Sequence, residues 1–167
     1  MHTLKFLYTF CCLVCALILF RCGSASSAEK YIIYASQQDF LKKVHDYKDN
    51  YPDNNRWSQH DRFYAPYEKS LGDTTVLFYY FDIYIPSEYK VFSCVIIPYD
   101  STNTANQFSL RFLSISDTST LVKKYINTID LNTQDNSYYK HVFETKFLEE
   151  LNVKWQVKED SWRTLFN

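Results

Sequence analysis

The fold of this chain is decided by a stretch that reads TTVLFYYFDIYI at residues 74–85, PSE at 86–88 and YKVFSCVII at 89–97. The two longer segments are rich in β-branched and aromatic residues, which favour strands, and the Pro-Ser-Glu between them is typical of a turn. We therefore predict two antiparallel strands joined as a hairpin.

The first strand of the hairpin has one strongly aromatic face. Residues alternate between the two sides of a strand, so Phe78, Tyr80 and Tyr84 share a side with Asp82. We interpret this face as part of the core, with an exposed binding face as the alternative.

Hydrophobic periodicity predicts the elements on either side of the hairpin. The predictions are a strand at 31–34, a helix at 37–49, a strand at 108–116, a helix running from the cap residues 117–120 to about 129, a helix at 137–151 and a strand around 153–157. Residues 50–73 form a long connection with at most a short helix around 64–71. The order β-α-β-β-β-α-α-β is an α+β pattern, an antiparallel meander of three to five strands with helices packed mainly on one face.

The N-terminal segment has the pattern of an export signal. Lys5 precedes an apolar run at residues 6–20, about 15 residues long, and small or polar residues follow at 23–28. A run of this length matches the apolar core of a signal peptide and is short for a membrane-spanning helix. We therefore predict a signal peptide at residues 1–28 and a single exported domain at 29–167.

Three fates of this leader fit the sequence. Signal peptidase prefers small residues shortly before the cut, and Ser26 and Ala28 provide them for cleavage before Glu29, with a second small pair at 23–25. Cys22 is a candidate for lipid attachment, and an uncleaved anchor is the third route. We expect a secreted, periplasmic or envelope-anchored domain that meets a membrane only through its leader or a lipid on Cys22.

The charge balance argues against a nucleic-acid partner. The chain has 18 Lys and Arg against 19 Asp and Glu; without Lys5 and Arg21 of the leader, 16 basic side chains remain, a net charge of about −3. Proteins that bind nucleic acid concentrate Lys and Arg against phosphates. The longest basic runs here are the pairs at 42–43 and 123–124, and we expect no nucleic acid to bind.

The scarcity of glycine and cysteine excludes further classes. The predicted domain has one glycine, Gly72, whereas Walker loops, dinucleotide-binding loops and nucleophile elbows need several. Its one cysteine, Cys94, cannot form a disulfide within the domain, and the apolar run at 91–97 around it indicates a buried thiol. The sequence has no CxxC pair and no closely spaced histidine pair in this domain, so we expect no metal or cofactor.

The strongest binding signal lies in the connection at residues 50–73, which reads NYPDNNRWSQHDRFYAPYEKSLGD. Trp, Tyr and Arg dominate the energetically important contacts of protein interfaces, and the two aromatic residues bury large areas with few rotatable bonds. Loops of this length in small domains are commonly functional. The predicted binding residues are Arg56, Trp57, His60, Arg62, Tyr64 and Tyr67.

The same loop also permits an enzymatic interpretation. His60 would act as a general acid or base, with Asp61 as the neighbouring carboxylate and Arg111, from a central strand, holding a phosphate. Such a trio suits a small metal-free secreted hydrolase, above all a nuclease. The acidic net charge would repel a nucleic-acid substrate, and the side chains of adjacent residues usually point apart.

We therefore expect an exported α+β domain that binds instead of catalysing. The favoured partner is a protein, which the domain could inhibit or neutralise through the loop at 50–73. A glycan stacked on Trp57 or Tyr64 is the less favoured ligand, and the hydrolase using His60 is the alternative function.

Overall fold

The computed structural model describes residues 28–51, 53, 67–71, 74–97 and 103–158, with the backbone alone at 67–71 and 74–77. In these ranges the chain has the predicted fold class, α+β with an antiparallel strand meander. Its elements in chain order are β1 (Glu29–Ile33), α1 (Gln37–Asn50), β2 (Tyr67–Leu71), β3 (Thr74–Ile85), a 3-10 turn (Pro86–Glu88), β4 (Lys90–Ile97), β5 (Phe108–Asp117), β6 (Lys123–Tyr125), α2 (Thr133–Phe143), a π turn (Glu144–Leu148) and β7 (Trp155–Val157).

The described strands form one antiparallel sheet in the order β2-β3-β4-β5-β1-β7, and β6 also pairs with β5. The predicted hairpin is confirmed, because β3 pairs with β4 from Tyr79 opposite Ile96 to Ile85 opposite Lys90. Strand β5 has two partners along one edge: β1 lies against residues 108–112 and β6 against residues 114–116. The N-terminal strand is therefore an interior strand of the sheet.

Helix α1 begins where the sequence predicts it. The Ser36 hydroxyl accepts a hydrogen bond from the backbone N–H of Asp39 at 3.1 Å and donates one to the Asp39 carboxylate at 2.6 Å. This cap gives a partner to one of the backbone N–H groups that a helix start otherwise leaves unbonded. Phe40, Val44 and Tyr47 then recur at helical spacing and are buried toward the sheet.

Helix α2 packs beside α1 on the same core. The Asn132 side chain caps it by accepting from the backbone N–H of Asp135 at 2.8 Å. The Phe143 ring centre lies 4.6 Å from that of Phe112 on β5 and 5.3 Å from that of Tyr31 on β1. Aromatic rings bury large apolar areas, so these contacts join the helix layer to the sheet.

Both helices cover one face of the sheet, which forms the core. The fully buried residues on this face include Tyr31, Ile33, Phe81, Ile83, Phe92, Cys94, Ile96, Leu110 and Phe112. Burial raises the pKa of the Cys94 thiol well above its ordinary value, so the thiol stays protonated. The prediction of a buried cysteine is confirmed.

The opposite face of the sheet is also withdrawn from solvent. Its buried or half-buried apolar residues are Ile32, Phe78, Tyr80, Tyr84, Val91 and Val95. This burial favours the interpretation of the aromatic face of β3 as core over the alternative of an open binding face.

The helix predicted after residues 117–120 is wrong. Leu121 has a φ of 57°, in the left-handed region, and the chain then returns as β6 along the edge of β5 at 114–116. Strand pairing gives the backbone groups of that edge partners, which a helix would not do. The apolar pattern misleads because Leu121 and Ile129 are 72% and 89% exposed and therefore do not form a buried helix face.

Two further boundaries differ from the prediction. The short helix expected around 64–71 is wrong where the structure describes it, because residues 67–71 form β2 opposite β3. The helix expected at 137 begins at Thr133 instead, since Asn132 provides its cap. The described order is thus β-α-β-β-β-β-β-α-β, with seven strands instead of three to five.

Candidate functional site

Most of the predicted site lies outside the described residues. This holds for Arg56, Trp57, His60, Asp61, Arg62 and Tyr64, and also for Cys22 in the leader. Tyr67 is described by its backbone alone, as the first residue of β2 opposite Phe78. The binding loop and the lipidation site therefore stay predictions.

Arg111, the third residue of the predicted nuclease trio, lies in the middle of β5. Its Cα partners are Val95 on β4 and Lys30 on β1, and its side chain is half-buried. The structure does not test the approach of His60 to this arginine, so the hydrolase alternative stays a prediction.

A pocket opens where β4, β5, β6 and α2 meet. It has a volume of about 170 Å³ and is lined by Lys90, Ile115, Asp117, Thr120, Val122, Lys124 and Tyr139. Lys90 begins β4 and Asp117 ends β5, and the two are register partners. The strand pairing therefore places the Lys90 Nζ 2.9 Å from the Asp117 Oδ2.

The Asp117 carboxylate is surrounded by donors. Its Oδ1 accepts from the backbone N–H groups of Ser119 at 2.8 Å and Thr120 at 3.2 Å, and from the Ser119 hydroxyl. The Ser119 hydroxyl, followed by Lys90, holds the pKa of Asp117 well below its ordinary value. The bond to Asp117 in turn raises the pKa of Lys90. The pair is therefore ionised at neutral pH.

Helix α2 supplies the aromatic wall of the pocket. The ring centre of half-buried Tyr139 lies 6.2 Å from that of Phe92 in the core, and burial raises the pKa of its hydroxyl. The neighbouring Tyr138 is 48% exposed and donates a hydrogen bond to the Glu88 carboxylate at 2.9 Å. This bond ties the helix to the turn between β3 and β4.

Large exposed apolar side chains lie on the segments that form or border this pocket. We call five of them the β6 surface: Tyr89, Leu121, Val122, Ile129 and Tyr138. The other exposed large apolar residues in the described ranges are Tyr34 and Tyr125, and strand alternation places Tyr125 on the opposite side of β6 from Lys124. A single exposed apolar residue is ordinary, whereas a group of them on neighbouring segments is typical of an interaction site.

Hydrogen bonds hold these segments together. The carbonyl oxygen of Tyr89 accepts from the Thr118 backbone N–H at 3.3 Å and from its hydroxyl at 2.9 Å. The Leu121 N–H donates to the Asp117 carbonyl at 2.8 Å, and the Asp117 N–H donates to the Val122 carbonyl at 3.4 Å. The turn that carries Leu121 and Val122 is therefore fixed against the start of β4.

The outer edge of β6 is partly closed to strand addition. The bonds that flank β6 on β5 direct the backbone groups of Tyr125 away from the sheet. Its N–H donates to the Asp130 carboxylate at 3.1 Å, and its carbonyl accepts from the Thr128 hydroxyl at 2.9 Å. A partner that extended the sheet here would have to break both bonds, so contacts through side chains are favoured.

Sequence reasoning missed this site because its central pair is nonlocal. Lys90 and Asp117 are 27 residues apart, and only the strand register brings them together. A weak signal was present: the Asp-Thr-Ser-Thr stretch at 117–120 fits a turn as well as a helix cap, and lysines such as those at 123–124 are typical of edge strands.

The described residues contain neither a metal-binding cluster nor a membrane-spanning helix. Among the described residues, no group of three or more His, Cys, Asp and Glu is arranged to hold a metal ion. None of the helices in the described ranges has the length and apolar character to cross a membrane.

Compared with protein-family models, curated proteins and solved structures, the chain has no significant match.

Proposed function

We propose that this chain is an exported domain that works by binding a protein partner, and that the β6 surface is a contact site for that partner. The leader pattern at residues 1–28 supports export. The loop at 50–73, with its Arg and aromatic residues, stays a second predicted contact region.

The exposure of the β6 surface is the observation that carries this proposal. Tyr89 is 70% exposed, Leu121 72%, Val122 55% and Ile129 89%. Fully burying a Val, Leu or Ile side chain contributes about 1.5–3 kcal/mol, and the isolated domain gains little of this free energy at these positions. A partner that covers them recovers this free energy.

The backbone at this surface has two strained positions that hydrogen bonds hold in place. Tyr89 and Leu121 are not glycines and yet have φ values of 52° and 57°. Such conformations cost of order 1 kcal/mol or more and persist where neighbouring contacts impose them. The hydrogen bonds of Thr118 and Asp117 provide those contacts. Presenting side chains from a fixed turn lowers the entropy cost of binding, which suits a recognition surface.

Site-specific photo-cross-linking in the cells that make the protein tests the proposal. We would place a photoreactive phenylalanine at Leu121 or Tyr138, with Tyr34 as the matched control because it is 45% exposed and lies off the β6 surface. We expect the same protein adduct from the first two positions and none from Tyr34. An adduct from Trp57 alone would transfer the contact site to the loop, and equal adducts at all positions would contradict specific binding.

A further inference from the structure

We infer, on the basis of the proposed partner-binding function, that the pocket beside β6 receives a carboxylate of the partner, an Asp or Glu side chain that enters between Lys90 and Lys124. Both lysines line this pocket, which has a volume of about 170 Å³.

The pocket has more hydrogen-bond donors than acceptors. The Lys90 ammonium has three N–H donors, and among the described residues it has one bond, to Asp117. In the same ranges, neither the Lys124 ammonium nor the Tyr139 hydroxyl has a hydrogen-bond partner. The Asp117 carboxylate already accepts bonds from Ser119, Thr120 and Lys90. An occupant must therefore contribute acceptors, and a carboxylate has two acceptor oxygens.

Charge disfavours a doubly charged anion. Lys90 and Lys124 contribute two positive charges to the pocket wall and Asp117 one negative charge, and the Glu88 carboxylate acts on Lys90 as a further negative charge nearby. A doubly charged phosphate would lie beside the Asp117 carboxylate. The wall also lacks arginine, the side chain whose planar fork suits phosphate best.

Size favours a side chain over a whole small molecule. Sites for drug-sized ligands and cofactors have volumes of about 300–1,000 Å³, whereas this pocket has about 170 Å³. The exposed Leu121, Val122 and Tyr138 next to it would contact the rest of the partner's surface. The expected partner segment therefore combines an acidic residue with apolar neighbours.

NMR of the lysine side chains tests this inference. The probes are the capped peptide Phe-Glu-Tyr-Glu-Leu, its counterpart with Gln in place of Glu, and inorganic phosphate. We expect the acidic peptide to shift the Lys90 and Lys124 signals saturably and the Gln peptide to bind about tenfold more weakly, as the loss of a charge-assisted contact implies. Phosphate should give no saturable shift.

The matched variants are Lys124→Gln and Lys123→Gln, because Lys123 precedes Lys124 on β6 and does not line the pocket. The first should weaken binding of the acidic peptide about tenfold and the second by less than about twofold. Equal binding of the two peptides would overturn the carboxylate site while leaving the cross-linking result, and so the proposed function, intact. Tighter binding of phosphate, or no shift with any probe, would also overturn it.

Discussion

Two lysine–carboxylate pairs in the described part of the chain have different surroundings. Lys140 Nζ lies 3.2 Å from Glu29 Oε2, where the side chains are 23% and 10% exposed, and Lys90 Nζ lies 2.9 Å from Asp117 Oδ2, where they are 20% and 37% exposed. The first pair joins α2 to the interior strand β1. The second lies at the open end of the β4–β5 pair, beside the pocket.

The environment of the first pair is closed. The Asn127 amide also donates to Glu29 Oε2, at 2.7 Å, and the buried Tyr31 hydroxyl donates to Glu144 Oε1 at 3.0 Å. We call this group, with Lys140, the closed corner. Its polar atoms have partners from three segments of the fold, whereas the open pocket keeps donors available. The comparison indicates that the first pair holds the fold together and the second serves recognition.

The largest effect is expected from the aromatic packing behind the closed corner. Phe143 is fully buried against Phe112 and Tyr31. Phe143→Ala should lower the free energy of unfolding by about 3–5 kcal/mol in urea denaturation, since it leaves a cavity in the core. Tyr138→Ala, on the exposed side of the same helix, is the control and should lower this free energy by much less, since it loses an exposed hydrogen bond to Glu88 and leaves no cavity in the core. Equal losses in the two variants would contradict the assigned core.

The next effect concerns the closed corner itself. Glu29→Ala should lower the free energy of unfolding by about 2 kcal/mol, because the Lys140 ammonium and the Asn127 amide would lose their shared acceptor. Glu29→Gln keeps an amide oxygen for Asn127 and should lose less. If both variants unfold at the wild-type urea concentration, the corner does not stabilise the fold.

Glu144 in the closed corner should make the protein less stable as pH rises. Burial raises the pKa of Glu144 above its ordinary value of 4.5, with the Tyr31 hydrogen bond opposing the shift. The folded state then binds this proton more tightly than the unfolded state, so stability declines as pH rises from 4.5 through the folded pKa. Glu144→Gln should lack this decline while keeping an acceptor for Tyr31. If the curves of unfolding free energy against pH stay parallel for the wild type and the variant above pH 4.5, the pKa of Glu144 is not raised by folding.

Asp117 in the open pocket should make the protein less stable as pH falls. Hydrogen bonds lower the pKa of Asp117 below its ordinary value of 3.8. Its contribution to stability is therefore complete above 3.8 and is lost as pH falls through the lower folded pKa. In the Asp117→Asn variant, the urea midpoint of unfolding should fall less steeply as the pH is lowered into the acid range. If the midpoint falls as steeply as in the wild type, the donors around Asp117 do not favour its ionised form.

The hairpin at 74–97 and helix α1 were predictable because their signals are local. Alternation, the Pro-Ser-Glu turn and the Ser36 cap each act within a few residues. Strands β2 and β6 were not predictable in this way, since short strands gain stability only from a neighbouring strand. Leu121 adopts a left-handed conformation where the expected helix would begin, and the sequence has no marker for this of the kind that glycine provides.

The pocket depends on the same nonlocal information. Lys90 and Lys124 come together through the pairing of β4 with β5 and of β5 with β6, and Tyr139 through the packing of α2 on Phe92. Alternation along β5 predicts which of its residues share a face, but the partner of each residue depends on the register of the whole sheet.

The affinity of the cross-linked partner, once isolated, for variants of the β6 surface tests the proposed function most directly. Leu121→Ser combined with Tyr138→Ser should weaken binding by at least about 30-fold, the loss expected when interface hot spots are removed. Tyr34→Ser should leave the affinity unchanged. Equal affinities for the double variant and the wild-type protein would contradict the assignment of this surface to partner binding.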